Sequence, residues 1–76
     1  MRMTRSGRKH KIGVAHARAA ILNAGEAIYD DENDNYSWIG VDDRGIELEV
    51  VAIPDDKHEG GLAIIHCMPT EYRRNR

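Results

Sequence analysis

The amino-acid sequence predicts one small α+β domain: an amphipathic N-terminal helix packed on a three- to four-stranded antiparallel sheet. Three observations lead there. The chain has 76 residues, fewer than the roughly 100 to 200 that chains spend per domain. Its apolar residues first recur at steps of three and four, and beyond Gly25 they alternate at a period of two, the signatures of a helix and of strands.

The helical stretch reads Val14, Ala17, Ile21, Ala24 and Ile28, one face of a helix placed at about 13 to 24. Gly13 offers no side-chain oxygen to cap the free N–H groups, and Gly25 is a natural stop. Ala27 to Tyr29 is a short strand. The acidic stretch Asp30 to Asn35 is a connection, and Tyr36 to Val41 alternates, with Tyr36 and Trp38 on one face and Ser37, Ile39 and Val41 on the other. Asp42-Asp43-Arg44-Gly45 is a hairpin turn with glycine in the left-handed position. From Ile46 to Ile53 the pattern turns Ile46, Leu48, Val50 and Ala52 inward and Glu47 and Glu49 outward, and Pro54 ends the strand. A polar loop follows over residues 55 to 61, then the apolar run Leu62 to Met68, closed by Pro69. Residues 70 to 76 read as a basic turn or frayed helix. Val14, Ala17, Ile21, Trp38 or Ile39, Leu48, Val50 and Ile64 are the expected core.

That core is thin. There is no Phe and only one Trp, and a domain of this size buries a modest share of its surface. The single cysteine, Cys67, forms no internal disulfide and fits a reducing compartment. A partner chain is then the expected source of further burial. The basic N-terminus is not followed by an apolar run, so it does not read as a signal peptide. No stretch approaches the roughly 20 apolar residues of a membrane span. The expectation is a soluble, cytoplasmic protein with no membrane association.

A net charge of −2 conceals an uneven distribution. Residues 1 to 11 carry Arg2, Arg5, Arg8, Lys9 and Lys11 with no acid, a local +5. Residues 71 to 76 carry Arg73, Arg74 and Arg76 against Glu71, a local +2, whereas residues 12 to 70 set three basic residues against twelve acids, a local −9. Basic ends on an acidic body suit contact with a polyanion or capture of a partner of opposite charge. Residues 1 to 7 are expected to form a flexible basic tail and residues 8 to 76 the domain.

The chemistry-bearing residues are few. The four histidines and Cys67 match no zinc spacing, and Asp31 to Asn35 lacks the glycine of a calcium loop, so neither metal nor cofactor is expected. Cys67 in a strand reads as a small buried hydrophobe. His66 stands in the last strand, on the side of Leu62 and Ile64 by simple alternation, just before Pro69, Tyr72, Arg73 and Arg74. Alone it reads as a histidine at the core edge. Beside arginines and a tyrosine it fits RNA cleavage by 2′-hydroxyl attack, in which one group takes a proton, another gives one, and cations steady the phosphorane.

Lys9-His10 before a helix, strands bearing Trp38-Ile39-Gly40 and Gly45-Ile46-Glu47-Leu48-Glu49-Val50, and the closing Ile64-Ile65-His66-Cys67-Met68-Pro69 resemble, in that order, small BrnT-type toxins of the RelE-like group. The resemblance covers about residues 8 to 74. It implies a RelE-like sheet and a ribonuclease toxin that cuts mRNA, free or on the ribosome, inhibits translation and is neutralised by a cognate antitoxin. His66, Tyr72, Arg73 and Arg74 would then be catalytic, and Arg8, Lys9, His10 and Lys11 would bind RNA. The expected partner is an acidic or mixed-charge antitoxin or, failing that, a second copy in a homodimer. Met68 and Glu71 flank the proline region where such chains tend to carry an arginine. The alternative is a non-catalytic binding module that contacts a protein or nucleic acid through its basic termini.

Overall fold

The computed structural model of the chain describes residues 1–55 and 61–74, the side chains of Arg73 and Arg74 excepted. Strand β1 (Arg2–Met3) precedes helix α1 (Val14–Ala24), and β2 (Ile28–Asp30), β3 (Asn35–Val41), β4 (Glu47–Pro54), β5 (Leu62–Pro69) and the short α2 (Glu71–Arg74) follow. The sheet runs β1-β5-β4-β3-β2. Its last four strands are antiparallel neighbours, and β1 lies parallel to β5.

The sheet is therefore five-stranded and mixed, where the sequence predicts three or four antiparallel strands. The extra strand comes from the segment read as a tail. Arg2 pairs with Ala63 and Met3 with Ile64, Met3 is buried, and Arg2 Nε lies 2.8 Å from the buried carboxylate of Asp55. Two residues are too few to display a period of two, so no alternation announces β1.

Helix α1 covers one face of the sheet through small residues. Ala17 and Ala20 are fully buried, and Val14, Ile21 and Ala24 pack around them. The approach is close enough to demand glycine at position 40, where an added Cβ would collide with the Ala20 carbonyl oxygen and sit 2.9 Å from the Ala24 side chain. Gly25 ends the helix at φ 83°, and Gly45 closes the β3–β4 hairpin at φ 82°, both positive angles that L side chains rarely adopt. Ile28, assigned by periodicity to the helical face, instead opens β2 and is exposed.

Cross-strand register sorts the two faces. On the helix side the rows are Tyr36–Ala52–Ile64, Trp38–Val50–Cys67 and Gly40–Leu48–Pro69. Leu48, Val50, Ala52, Ile64 and Cys67 there have no measurable exposure. Ile46, read as inward, lies before β4 in the turn and is exposed. That turn is organised by Asp42, whose Oδ1 accepts from the backbone N–H groups of Arg44 and Ile46 and whose Oδ2 meets the Arg44 guanidinium. His16 Nδ1, 2.6 Å from Asp43 Oδ1, ties α1 to the same hairpin. Among the described residues, no helix is long and apolar enough to cross a membrane.

Candidate functional site

The face away from α1 carries the rows Ile28–Ser37–Val51–His66 and Ile39–Glu49–Met68. His66 is on this face because β5 is bulged. Val51 pairs with His66 and Ala52 with Ile64, so Ile65 is an extra residue without a partner opposite it. One inserted residue reverses which side chains point to each face. Simple alternation puts His66 with Leu62 and Ile64. The bulge separates them, keeping Ile64 and Cys67 in the core and turning His66 outward.

Three elements converge on His66. From β4, Glu49 Oε1 lies 3.2 Å from His66 Nε2. Such a carboxylate fixes the orientation and tautomer of the ring, leaving Nδ1 to act on something else. From the N-terminal segment comes His10, its ring centroid 6.3 Å from that of His66 in an edge-on arrangement. From α2 comes Tyr72, 5.7 Å from His10, also edge-on. His10 and His66 are half-buried and Tyr72 is exposed, so the cluster is open to a ligand.

The sequence explains how His10 gets there. The Thr4 backbone N–H and hydroxyl both donate to the Ile64 carbonyl, and Gly7 N–H donates to the Thr4 hydroxyl. Tight turns follow, with Arg8 N–H bonded to Thr4 and Lys11 N–H to Arg8. Gly7 passes so near β5 that an added Cβ would lie 2.5 Å from the Ile64 oxygen. The segment is strapped along the sheet edge, and His10 emerges beside His66.

His66, His10 and Tyr72, read separately from the sequence, thus form one cluster. Arg8, Lys9 and Lys11 are exposed on the strap, where Arg8 and Lys11 border a different groove with Met3, Ile12 and Val14. The side chains of Arg73 and Arg74 lie outside the described residues, as does His58. Glu49 is the residue that sequence reasoning missed. Its outward alternation was legible, but its meeting with His66 depends on the bulge.

Two other groups bear on chemistry. Burial, with a smaller contribution from Asp42, pushes the Cys67 thiol up to about 11, which keeps it protonated and unreactive at neutral pH. His16, Asp42 and Asp43 offer ligand atoms within 4.8 Å of one another. The Asp42 carboxylate, however, is already engaged by Arg44 and two backbone N–H groups.

No family model matches the chain, and no curated protein and no solved structure resembles it closely enough to count as a match.

Proposed function

We propose that the chain is a ribonuclease toxin of RelE-like, BrnT-type kind, acting in the bacterial cytoplasm on mRNA and held in check by a cognate antitoxin. The reading is carried by the meeting of His10, His66 and Tyr72 on the side of the sheet away from α1, with Glu49 3.2 Å from His66. Two imidazoles supply the two proton transfers that strand cleavage needs. One accepts the proton of the 2′-hydroxyl as its oxygen attacks the adjacent phosphorus. The other protonates the 5′-oxygen as the P–O bond breaks, and the ends are a 2′,3′-cyclic phosphate and a 5′-hydroxyl. Glu49 orients His66 and offers a counter-charge when the ring is protonated, in the way a carboxylate serves a catalytic histidine elsewhere. Tyr72 offers a hydroxyl and a stacking face to an unpaired base. The exposed cations Arg8, Lys9 and Lys11 would contact phosphates along the strap.

The same open face supports a second reading, a non-catalytic binding module. Glu47 and Glu49 on β4 and Asp30 on β2 repel RNA over most of it, leaving only the β5 edge and the basic strap favourable to a polyanion.

Cleavage of a labelled RNA by the purified chain, with and without ribosomes, separates the two. The expected result is cyclic-phosphate ends and a loss of about 100-fold or more in His66→Ala, the usual contribution of a general acid or base. RNA left intact under both conditions favours the binding module. Full activity in His66→Ala would keep a ribonuclease and remove His66 from its chemistry.

A further inference from the structure

The side of the sheet away from α1 is not the polar surface that an antiparallel sheet usually turns to water. Ile28, Ile39 and Val41 are 67%, 49% and 43% exposed. Val51 shares their face, with Ser37 between it and Ile28 and with Glu49 opposite Ile39, and Ile28, Ile39 and Val51 line a shallow groove of about 410 Å³ together with Ser37, Asp30 and Glu49. Acids border this strip: Asp30 at the end of β2 and Glu47 beside Val41. Hydrogen bonds from Asn33 and Glu32, partly opposed by desolvation, hold the Asp30 carboxyl below its ordinary range, so it is charged at neutral pH.

We propose that this face is the docking surface for an amphipathic helix of a protein partner, with an apolar stripe flanked by lysines or arginines. The inference rests on the reading that the chain works with a protein partner, and it reverses the charge expected of that partner. The sequence suggests an acidic segment drawn to the basic termini; the open face calls for a basic one.

The choice of occupant follows from charge and layering. A sheet with one face under a helix and an apolar strip on the other is completed by a second helical layer, whose side chains at i, i+3, i+4 and i+7 run along the strip. RNA is disfavoured there by the acids. A second copy joined by the same face would bring the Asp30 and Glu47 of both copies into one self-complementary interface and double its negative charge. A basic-flanked helix meets the apolar strip and the acids together, and electrostatic complementarity of this kind favours capture and orientation.

The test uses the full chain and two labelled peptides of about 20 residues, long enough for about five helical turns. Both carry the same leucine stripe, one with lysines on its flanks and the other with glutamates. Anisotropy titrations should show the lysine peptide binding at least tenfold more tightly, with the advantage shrinking as salt rises. Ile39→Asp combined with Val41→Asp should weaken it at least tenfold while leaving the far-UV circular dichroism unchanged. Hydrogen exchange on the unaltered chain provides a readout free of folding effects: the lysine peptide should slow amides of β2 and β3 and leave α1 as it was. Equal binding of the two peptides, protection falling on α1, or a homodimer in light scattering that Ile39→Asp dissociates would each overturn the proposal. RNA cleavage on the same samples reports on the ribonuclease reading alone, so the two can fail separately.

Discussion

Leu48→Ala is the sharpest test of the packing. Leu48 has no exposure, pairs across the sheet with Gly40 and Pro69, and belongs to the buried cluster with Trp38, Val50 and Ile64. The substitution removes three carbons at about 0.8 kcal/mol each, so the transfer cost alone is about 2.4 kcal/mol. The position lies between a sheet and a helix in close contact, which restricts collapse into the void, and the cavity contribution raises the cost to about 3 to 4 kcal/mol. A chain of 76 residues has about 4 to 11 kcal/mol to lose at the usual stability per residue. The variant should therefore retain between none and about 8 kcal/mol of stability, with Tm lower by about 12 to 32 °C. Urea unfolding followed by circular dichroism measures this, with Val41→Ala as the control. Val41 is on the open face and 43% exposed, so its truncation should cost no more than about 1 kcal/mol. Equal losses at the two positions, or a Tm drop below about 4 °C at Leu48, would refute this assignment of faces.

Two further outcomes follow from the titrating groups. Burial works against the charge on Asp42, but the Arg44 guanidinium and the backbone N–H groups of Ile46 and Arg44 outweigh it and hold the carboxyl below its ordinary value of 3.8. A depressed folded value gives stability that is present above 3.8 and lost as pH falls below it. The Tm gap between the native chain and Asp42→Asn should accordingly be widest near neutrality and shrink through that window, and a gap constant with pH would dismiss the charged turn. Cys67, with its thiol at about 11 and no exposure, should resist iodoacetamide at pH 8 in the folded chain and react promptly in urea. Fast labelling of the native protein would mean that β5 opens or is misregistered.

What the sequence disclosed depended on how many residues voted for each element. Helix α1 and strands β3, β4 and β5 are seven or more residues long, enough for a period to emerge, and their predicted limits fall within one or two residues of those observed. Gly25 and Gly45 were legible because their positive φ angles belong to a residue type. Strand β1 was not, since Arg2–Met3 is held by partners distant in sequence: Ala63, Ile64 and Asp55. The candidate site divided in the same way. His66, His10 and Tyr72 stood out as residue types able to do chemistry, yet alternation put His66 on the wrong face, because a bulge carries no signature in a run as uniformly apolar as Leu62 to Ile65.

That bulge links the core to the open surface. If β5 alternated without it, placing Ile64 inward would place His66 inward as well, an imidazole under the helix in the apolar layer, and would turn Cys67 out to solvent. With Ile65 as the extra residue, Ile64 and Cys67 both reach zero exposure and His66 reaches Glu49. The open face is thereby divided. Toward β5 lie the imidazoles, Tyr72 and the cationic strap, with Glu47 of β4 accepting a hydrogen bond from the Thr70 hydroxyl just past β5, and toward β2 lie Ile28, Ile39 and Asp30. On the proposed readings, a polyanion and a basic helix would be drawn to opposite halves of one sheet. They would compete where Val51 and Glu49 adjoin His66, so a partner seated on the apolar half would border the imidazoles without displacing the strap.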